Sequence, residues 1–116
     1  MVKTKKSISK LRRGDIIKIS FDPIMGHEQK GYRSALVLSD TDFYRITGMA
    51  FCVPITSKQK NFLHEIEVDG KEIKGVLLVH GARMLDLHAR DFSIIERCKS
   101  DVIKNIQTIL LKIINE

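Results

Sequence analysis

The hydrophobic pattern begins at residue 15. In the stretch 15–21, Ile17, Ile19 and Phe21 alternate with Lys18 and Ser20, the period of a half-buried strand. Asp22-Pro23 stops it. Residues 24–33 hold two glycines and mostly polar side chains, which predicts a loop. It is long for a hairpin connection, and long loops in compact domains tend to be functional or disordered. Residues 34–38 (SALVL) read as a buried strand, and 40–46 as one short helical turn capped by Ser39 or Asp40. A second buried strand spans 49–56. Pro54 lacks an N–H for the ladder, so an edge or a bulge is expected there. Residues 57–61 form a basic loop. Residues 63–68 alternate again, with Leu63, Ile66 and Val68 as the inward set, and Asp69-Gly70 signals a turn. Gly75 leads into a third buried strand at 76–79. Residues 82–87 predict another short strand, and 92–95 a strand or turn.

The end of the chain changes period. Ile103, Ile106, Ile109, Leu110 and Ile113 recur at helical spacing, and Leu111 and Ile114 widen the apolar face. Ser100 is the expected cap, with Asp101 favouring the helix dipole. This helix is expected to pack against the sheet, with a share in a dimer interface as a second use. Many short strands, a long loop and one C-terminal helix predict an all-β fold with an appended α-helix, a bent antiparallel sheet or barrel.

The length of 116 residues fits one domain, and 43% hydrophobic residues can supply one core. Lys and Arg number 20 against 14 Asp and Glu, a formal charge of +6 that favours polyanionic partners. Lys3, Lys5, Lys6, Lys10, Arg12 and Arg13 all precede the first acidic residue, Asp15. Residues 1–11 therefore read as a basic tail, either solvated or supplementing polyanion binding, and 12–116 as the domain. Cys52 and Cys98 show no metal-binding spacing. Cys52 sits in an apolar run and is expected to be a buried thiol, in a reducing compartment. The N-terminus lacks the apolar segment of a signal peptide, and no apolar run reaches the length of a membrane span. No repeat or low-complexity segment is visible.

The densest chemistry lies in Gly26-His27-Glu28-Gln29-Lys30-Gly31-Tyr32-Arg33. A titratable imidazole, a carboxylate and a guanidinium stand among glycines that let a ligand approach the backbone. Glu and His suit proton transfer. Arg suits a phosphate, because its planar fork can hold two oxygens at once. RNA can be cut with these groups and no metal: a base takes the 2′-OH proton, a cation stabilises the phosphorane, and an acid protonates the departing 5′-oxygen. A solvated polar turn is the alternative for each residue singly.

Residues 12–23 (RRGDIIKISFDP) and 26–39 (GHEQKGYRSALVLS) resemble the N-terminal signature of the MazF/PemK/Kid toxin family. Similar matches follow at 47–57 (TGMAFCVPITS), 75–79 (GVLLV) and 83–90 (RMLDLHAR), closest in pattern to the ChpB branch. The resemblance implies an SH3-like barrel of the CcdB/MazF type with a C-terminal helix, acting as a homodimer. It implies a ribosome-independent endoribonuclease that cuts single-stranded mRNA to 2′,3′-cyclic phosphate and 5′-hydroxyl ends without a cofactor. It also implies a cytoplasmic toxin held in check by an antitoxin of the MazE/PemI kind. The family's essential Arg falls on Arg33, its Thr on Thr56, its loop Glu on Glu28 and the His of the Kid and ChpB branches on His27. Arg33 is expected to stabilise transition-state charge and Thr56 to hydrogen-bond the scissile phosphate. Glu28 or His27 is the base, the other orienting substrate or acting as acid. Ser57, Lys58, His80, Arg83, Gln29 and Lys30 are the RNA-binding candidates, with Lys60 behind them. His64 and His88 read as structural, and Phe62 as core rather than a stacking platform.

Two departures stand out. The family usually has Arg-Pro-Ala where this chain has Arg33-Ser34-Ala35, which frees one N–H. The family's Asp-Gln or Asn-Gln pair is replaced by His80-Gly81, and the Kid branch's catalytic Arg and Asp fall on Leu78 and His80. His80 is then expected in the substrate groove, or else in packing beside a Gly that fills a gap. A different function class on the same fold is a non-catalytic binder of RNA or antitoxin, or a gyrase poison of the CcdB kind. Arg33 near Thr56 in a basic setting discriminates the nuclease from these.

Overall fold

The computed structural model describes residues 11–20, 32–58 and 65–115. Strand β1 (Asp15–Ser20) pairs antiparallel with β2 (Tyr32–Val37), setting Ile17 across from Ala35 and Ile19 across from Arg33. Alternation sends Ile17, Ile19, Ala35 and Val37 into one buried cluster, and Ile16 and Leu36 into another on the opposite face. β2 starts earlier than the sequence pattern indicates. Tyr32 and Arg33 belong to the strand rather than the loop, because the ladder with β1 runs on to the Ser20–Tyr32 pair.

Helix α1 (Thr41–Thr47) is capped by Asp40, whose carboxylate accepts the Phe43 N–H at 2.8 Å. Ser39 is not the cap; its hydroxyl oxygen accepts the Phe51 N–H at 2.9 Å. Buried Tyr44 ties α1 to the first cluster.

Strand β3 (Met49–Thr56) is the centre of the sheet. One edge carries β2. The other is shared between β6 (Arg83–Asp86), along Met49–Cys52, and β5 (Lys74–Leu78), at Ile55 and Thr56. Pro54 falls in the gap between these two partners. The expectation of a sheet edge is thus corrected: Pro54 sits inside a central strand, where one partner has ended and the next has not begun, so no ladder N–H is lacking.

Strand β4 (Glu65–Asp69) pairs with β5 through the turn at residues 70–73. Residues 92–95 are strand, not turn, within β7 (Phe92–Arg97) on the far edge of β1. The strand order among the described residues is β4-β5-β3-β2-β1-β7, with β6 on β3. The two ends of this order meet. Glu96 of β7 accepts the N–H groups of Lys71, Glu72 and Ile73 at 3.0, 2.9 and 2.8 Å, all in the β4–β5 turn. The expected all-β, barrel-type fold with an appended helix is what forms.

That helix, α2 (Ser100–Ile114), covers the second cluster. Ile106 is fully buried, and Val102, Ile103, Ile109 and Leu110 pack beside it against Ile16, Leu36, Val53 and Leu77. Truncating a side chain as enclosed as Leu36 to Ala costs about 2–5 kcal/mol. Ser100 is the first helical residue rather than the cap; Lys99 holds the cap position and provides no side-chain hydrogen bond. Ile113, expected on the packed face, is 50% exposed together with Leu111 and Ile114, so the last turn runs past the sheet. Leu11, assigned to the tail from sequence, is buried in the core, and its carbonyl accepts the Thr41 hydroxyl at 2.7 Å. No described helix is long and apolar enough to cross a membrane.

Candidate active site

The β2–β3 register brings the two leading candidates together. Ser34 lies opposite Ile55 and Ala35 opposite Pro54. One step further along the same antiparallel register sets Arg33 across from Thr56. Opposed residues of such a pair point to the same face with Cα atoms ~4.5–5.5 Å apart. Arg33 is exposed at the open end of β2. Asp15, which lies on the neighbouring strand, is held by Arg97 Nη1 at 3.0 Å and by the Arg12 N–H at 2.8 Å. Asp22 lies outside the described residues.

Thr56 is half-buried at the end of β3, and its Oγ1 accepts the Lys58 N–H at 3.2 Å. That bond occupies an acceptor lone pair, so the hydroxyl's own hydrogen is left to donate. A hydroxyl held this way suits hydrogen bonding to a phosphate oxygen, not proton abstraction. Gly75 secures the position from the other side: the Thr56 carbonyl oxygen occupies the space where a Cβ at 75 would lie. Ser57 and Lys58 follow, both exposed.

Pro54 shares the face of Thr56, since alternate residues of a strand do. The 3-10 turn Val79–Gly81 lies against it. A Cβ at Gly81 would stand 3.1 Å from Pro54 Cγ, tighter than ordinary contact, so the short residue there is matched to the proline. His80, exposed in the same turn, therefore stands beside the face that carries Thr56. Further along β3, Cys52 lies opposite Arg83 of β6, which is also exposed. Burial pushes the Cys52 thiol up to about 12, against the lowering pull of Arg83 and Arg90. Arg33, Lys58 and Arg83 are all exposed, so three cations near the ends of β2, β3 and β6 are open to a polyanion.

His27, Glu28, Gln29 and Lys30 lie outside the described residues, as do Lys60, Phe62 and His64. The described ends of their segment are informative all the same. Ser20 and Tyr32 are paired, one rung beyond the Ile19–Arg33 rung. His88 keeps its structural assignment: its ring meets Tyr44 edge-on at 5.7 Å and packs against Gly48. Among the described residues no group of three or more His, Cys, Asp or Glu side chains could hold a metal ion. Arg90 was not singled out from sequence. Nothing in its neighbourhood along the chain separates it from a solubilising arginine, yet its Nη1 donates to the Ser20 carbonyl at 2.7 Å.

The pattern of the PemK-like, MazF-like toxins of type II toxin-antitoxin systems matches residues 12–114. The chain belongs to this toxin family. Among the family's relatives, the endoribonuclease toxin MazF of Escherichia coli (strain K12) is 40% identical over 77 residues, covering 66% of this chain and 69% of that protein. The endoribonuclease toxin ChpB of the same strain is 42% identical over 88 residues, covering 71% and 75%. In three dimensions the chain is similar to crystalline MazF (Form-I) from Deinococcus radiodurans, with a TM-score of 0.80 at 29% identity over 91% of this chain and 97% of that one. A MazE-MazF crystal structure (Form-II) from the same organism gives 0.77 at 25% identity, covering 89% and 93%. The family fold is the sheet-and-helix arrangement described above.

Proposed function

We propose that this member of the family is the toxin of a type II toxin-antitoxin pair, an endoribonuclease that cuts single-stranded mRNA at short sequence motifs. The observation that carries the reading is the β2–β3 register, which pairs Ser34 with Ile55 and, continued by one step, sets Arg33 opposite Thr56 on one face. An exposed guanidinium and a hydroxyl with a free hydrogen, set across from one another, match the needs of a phosphodiester in transition. A base removes the 2′-OH proton, O2′ attacks phosphorus, the P–O5′ bond breaks, and the departing 5′-oxygen takes a proton. The ends are a 2′,3′-cyclic phosphate and a 5′-hydroxyl. Arg33 binds the phosphorane oxygens, where charge grows during reaction and a donor is worth most. Thr56 donates to a non-bridging oxygen. Glu28 or His27 takes the first proton, and the other serves as acid or orients the RNA. Ser57, Lys58, His80, Arg83, Gln29 and Lys30 hold flanking nucleotides.

The protein acts in the cytoplasm as a homodimer, without a cofactor. An antitoxin of the MazE kind occupies the same basic face and blocks it, as expected for relatives seen as MazE-MazF complexes. Purified protein incubated with a long RNA in EDTA, with the cut ends mapped, tests the reading. Discrete cuts leaving cyclic phosphate and 5′-hydroxyl ends are expected. Intact RNA alongside trapped DNA breaks would move the chain to the gyrase-poison class.

A further inference from the structure

Arg90 lies between the 3-10 turn Leu87–Ala89 and β7, yet its side chain works 70 residues away along the chain, where Nη1 holds the Ser20 carbonyl. Ser20 closes β1, and its rung partner Tyr32 opens β2 next to Arg33. Strand ends are where ladders fray, and a short bond from a charged donor is among the stronger ways to stop one. The same guanidinium keeps its Nε buried with no hydrogen-bond acceptor. Native proteins seldom retain a buried unmet donor without a reason. An apolar side chain would fill the half-buried position without that cost, so stability alone does not account for an arginine here.

We propose that Arg90 is a positioning residue for the cleavage reaction: by clamping the Ser20 carbonyl it fixes the last rungs of the β1–β2 ladder, and with them the backbone from which Arg33 reaches the scissile phosphate. The inference rests on the nuclease reading and adds a second arginine that acts through the first. Arg33 is exposed and long, so the position of its Cα decides where its fork arrives. Misplacing a catalytic group by ~1 Å can cost roughly a hundredfold in rate.

The test compares wild type, Arg90→Lys and Arg90→Met in single-turnover cleavage of a short RNA carrying a mapped cut site, in EDTA. Lysine keeps one charged donor for the Ser20 carbonyl, whereas methionine fills the space and keeps none. The Met variant is expected to lose about a hundredfold in the saturating rate with RNA affinity held within about threefold, and the Lys variant to stay within about tenfold of wild type. In an Arg33→Ala background the Met substitution should have little further effect, because the group it positions is gone. Should the Met variant fail to fold, Arg90→Leu replaces it, likewise filling space and keeping no donor. A Met or Leu variant cleaving within about threefold of wild type overturns the proposal, as does an equal loss for Lys and Met, or a full effect without Arg33. If wild type itself leaves RNA intact, the nuclease reading falls first, which is a separate outcome from active wild type with indifferent Arg90 variants.

Discussion

Arg33 and Thr56 make different demands on the residues that could replace them. Arg33 supplies a charged fork and is exposed, so Arg33→Ala should leave the melting temperature in place while lowering the cleavage rate by about a hundredfold or more, ~3 kcal/mol. Thr56 supplies one donor whose oxygen is held by the Lys58 N–H. Thr56→Ser should keep most of the activity, and the isosteric Thr56→Val should lose roughly tenfold to a hundredfold. Equal rates for the Ser and Val variants would remove the hydroxyl from the mechanism. His80→Ala should change the rate or the preferred motif, and an unchanged cleavage profile would return the imidazole to packing. Both leading residues become candidates through resemblance to a family rather than through hydropathy. Arg33 sits at a polar strand start that period-two reading assigns to the loop. Arg90 was not legible at all, because its partner Ser20 is far away in the chain and a backbone carbonyl leaves no mark in sequence.

The elements were read from sequence to within a few residues, and the departures share a cause. Pro54, Ser100 and Ile113 each looked settled by a local rule and were decided by a neighbour: a change of strand partner, a cap one residue earlier, a helix longer than the sheet beneath it. The clasp between β7 and the β4–β5 turn belongs to the same class. Burial raises the Glu96 carboxyl, but hydrogen bonds from the Ile73, Glu72 and Lys71 N–H groups, with the Lys71 charge, bring it below the usual range. Its folded pKa is therefore depressed. The stability it contributes is present above the unfolded pKa of ~4.3 and is lost as pH falls through the folded value. Glu96→Gln should cost about 1 kcal/mol at neutral pH, a fall of roughly 4 °C in melting temperature. The gap to wild type should close as acid protonates the native carboxylate. Melting curves between neutral and strongly acidic pH check this, and a gap that does not change with pH would contradict the clasp.

At the scale of the molecule, a formal charge of +6 and the exposed cations Arg33, Lys58 and Arg83 describe a protein suited to meet polyanions. RNA affinity should weaken steeply with added salt, since each phosphate contact releases a counterion. The sheet sets the chemistry within this field. β3 carries β2 on one edge and splits the other between β5 and β6, so Thr56, Pro54 and Cys52 run along one face, with Arg83 opposite Cys52 and Arg33 one step past the Ser34–Ile55 pair. The account stands or falls on Arg33 and Thr56 serving the same phosphate. A double-mutant cycle on single-turnover cleavage, using Arg33→Ala, Thr56→Val and their combination, tests it most directly. Two groups on one phosphorane should be coupled by about 1 kcal/mol or more, so the double variant should be clearly faster than the product of the two single losses. Losses that simply multiply would contradict a shared phosphate.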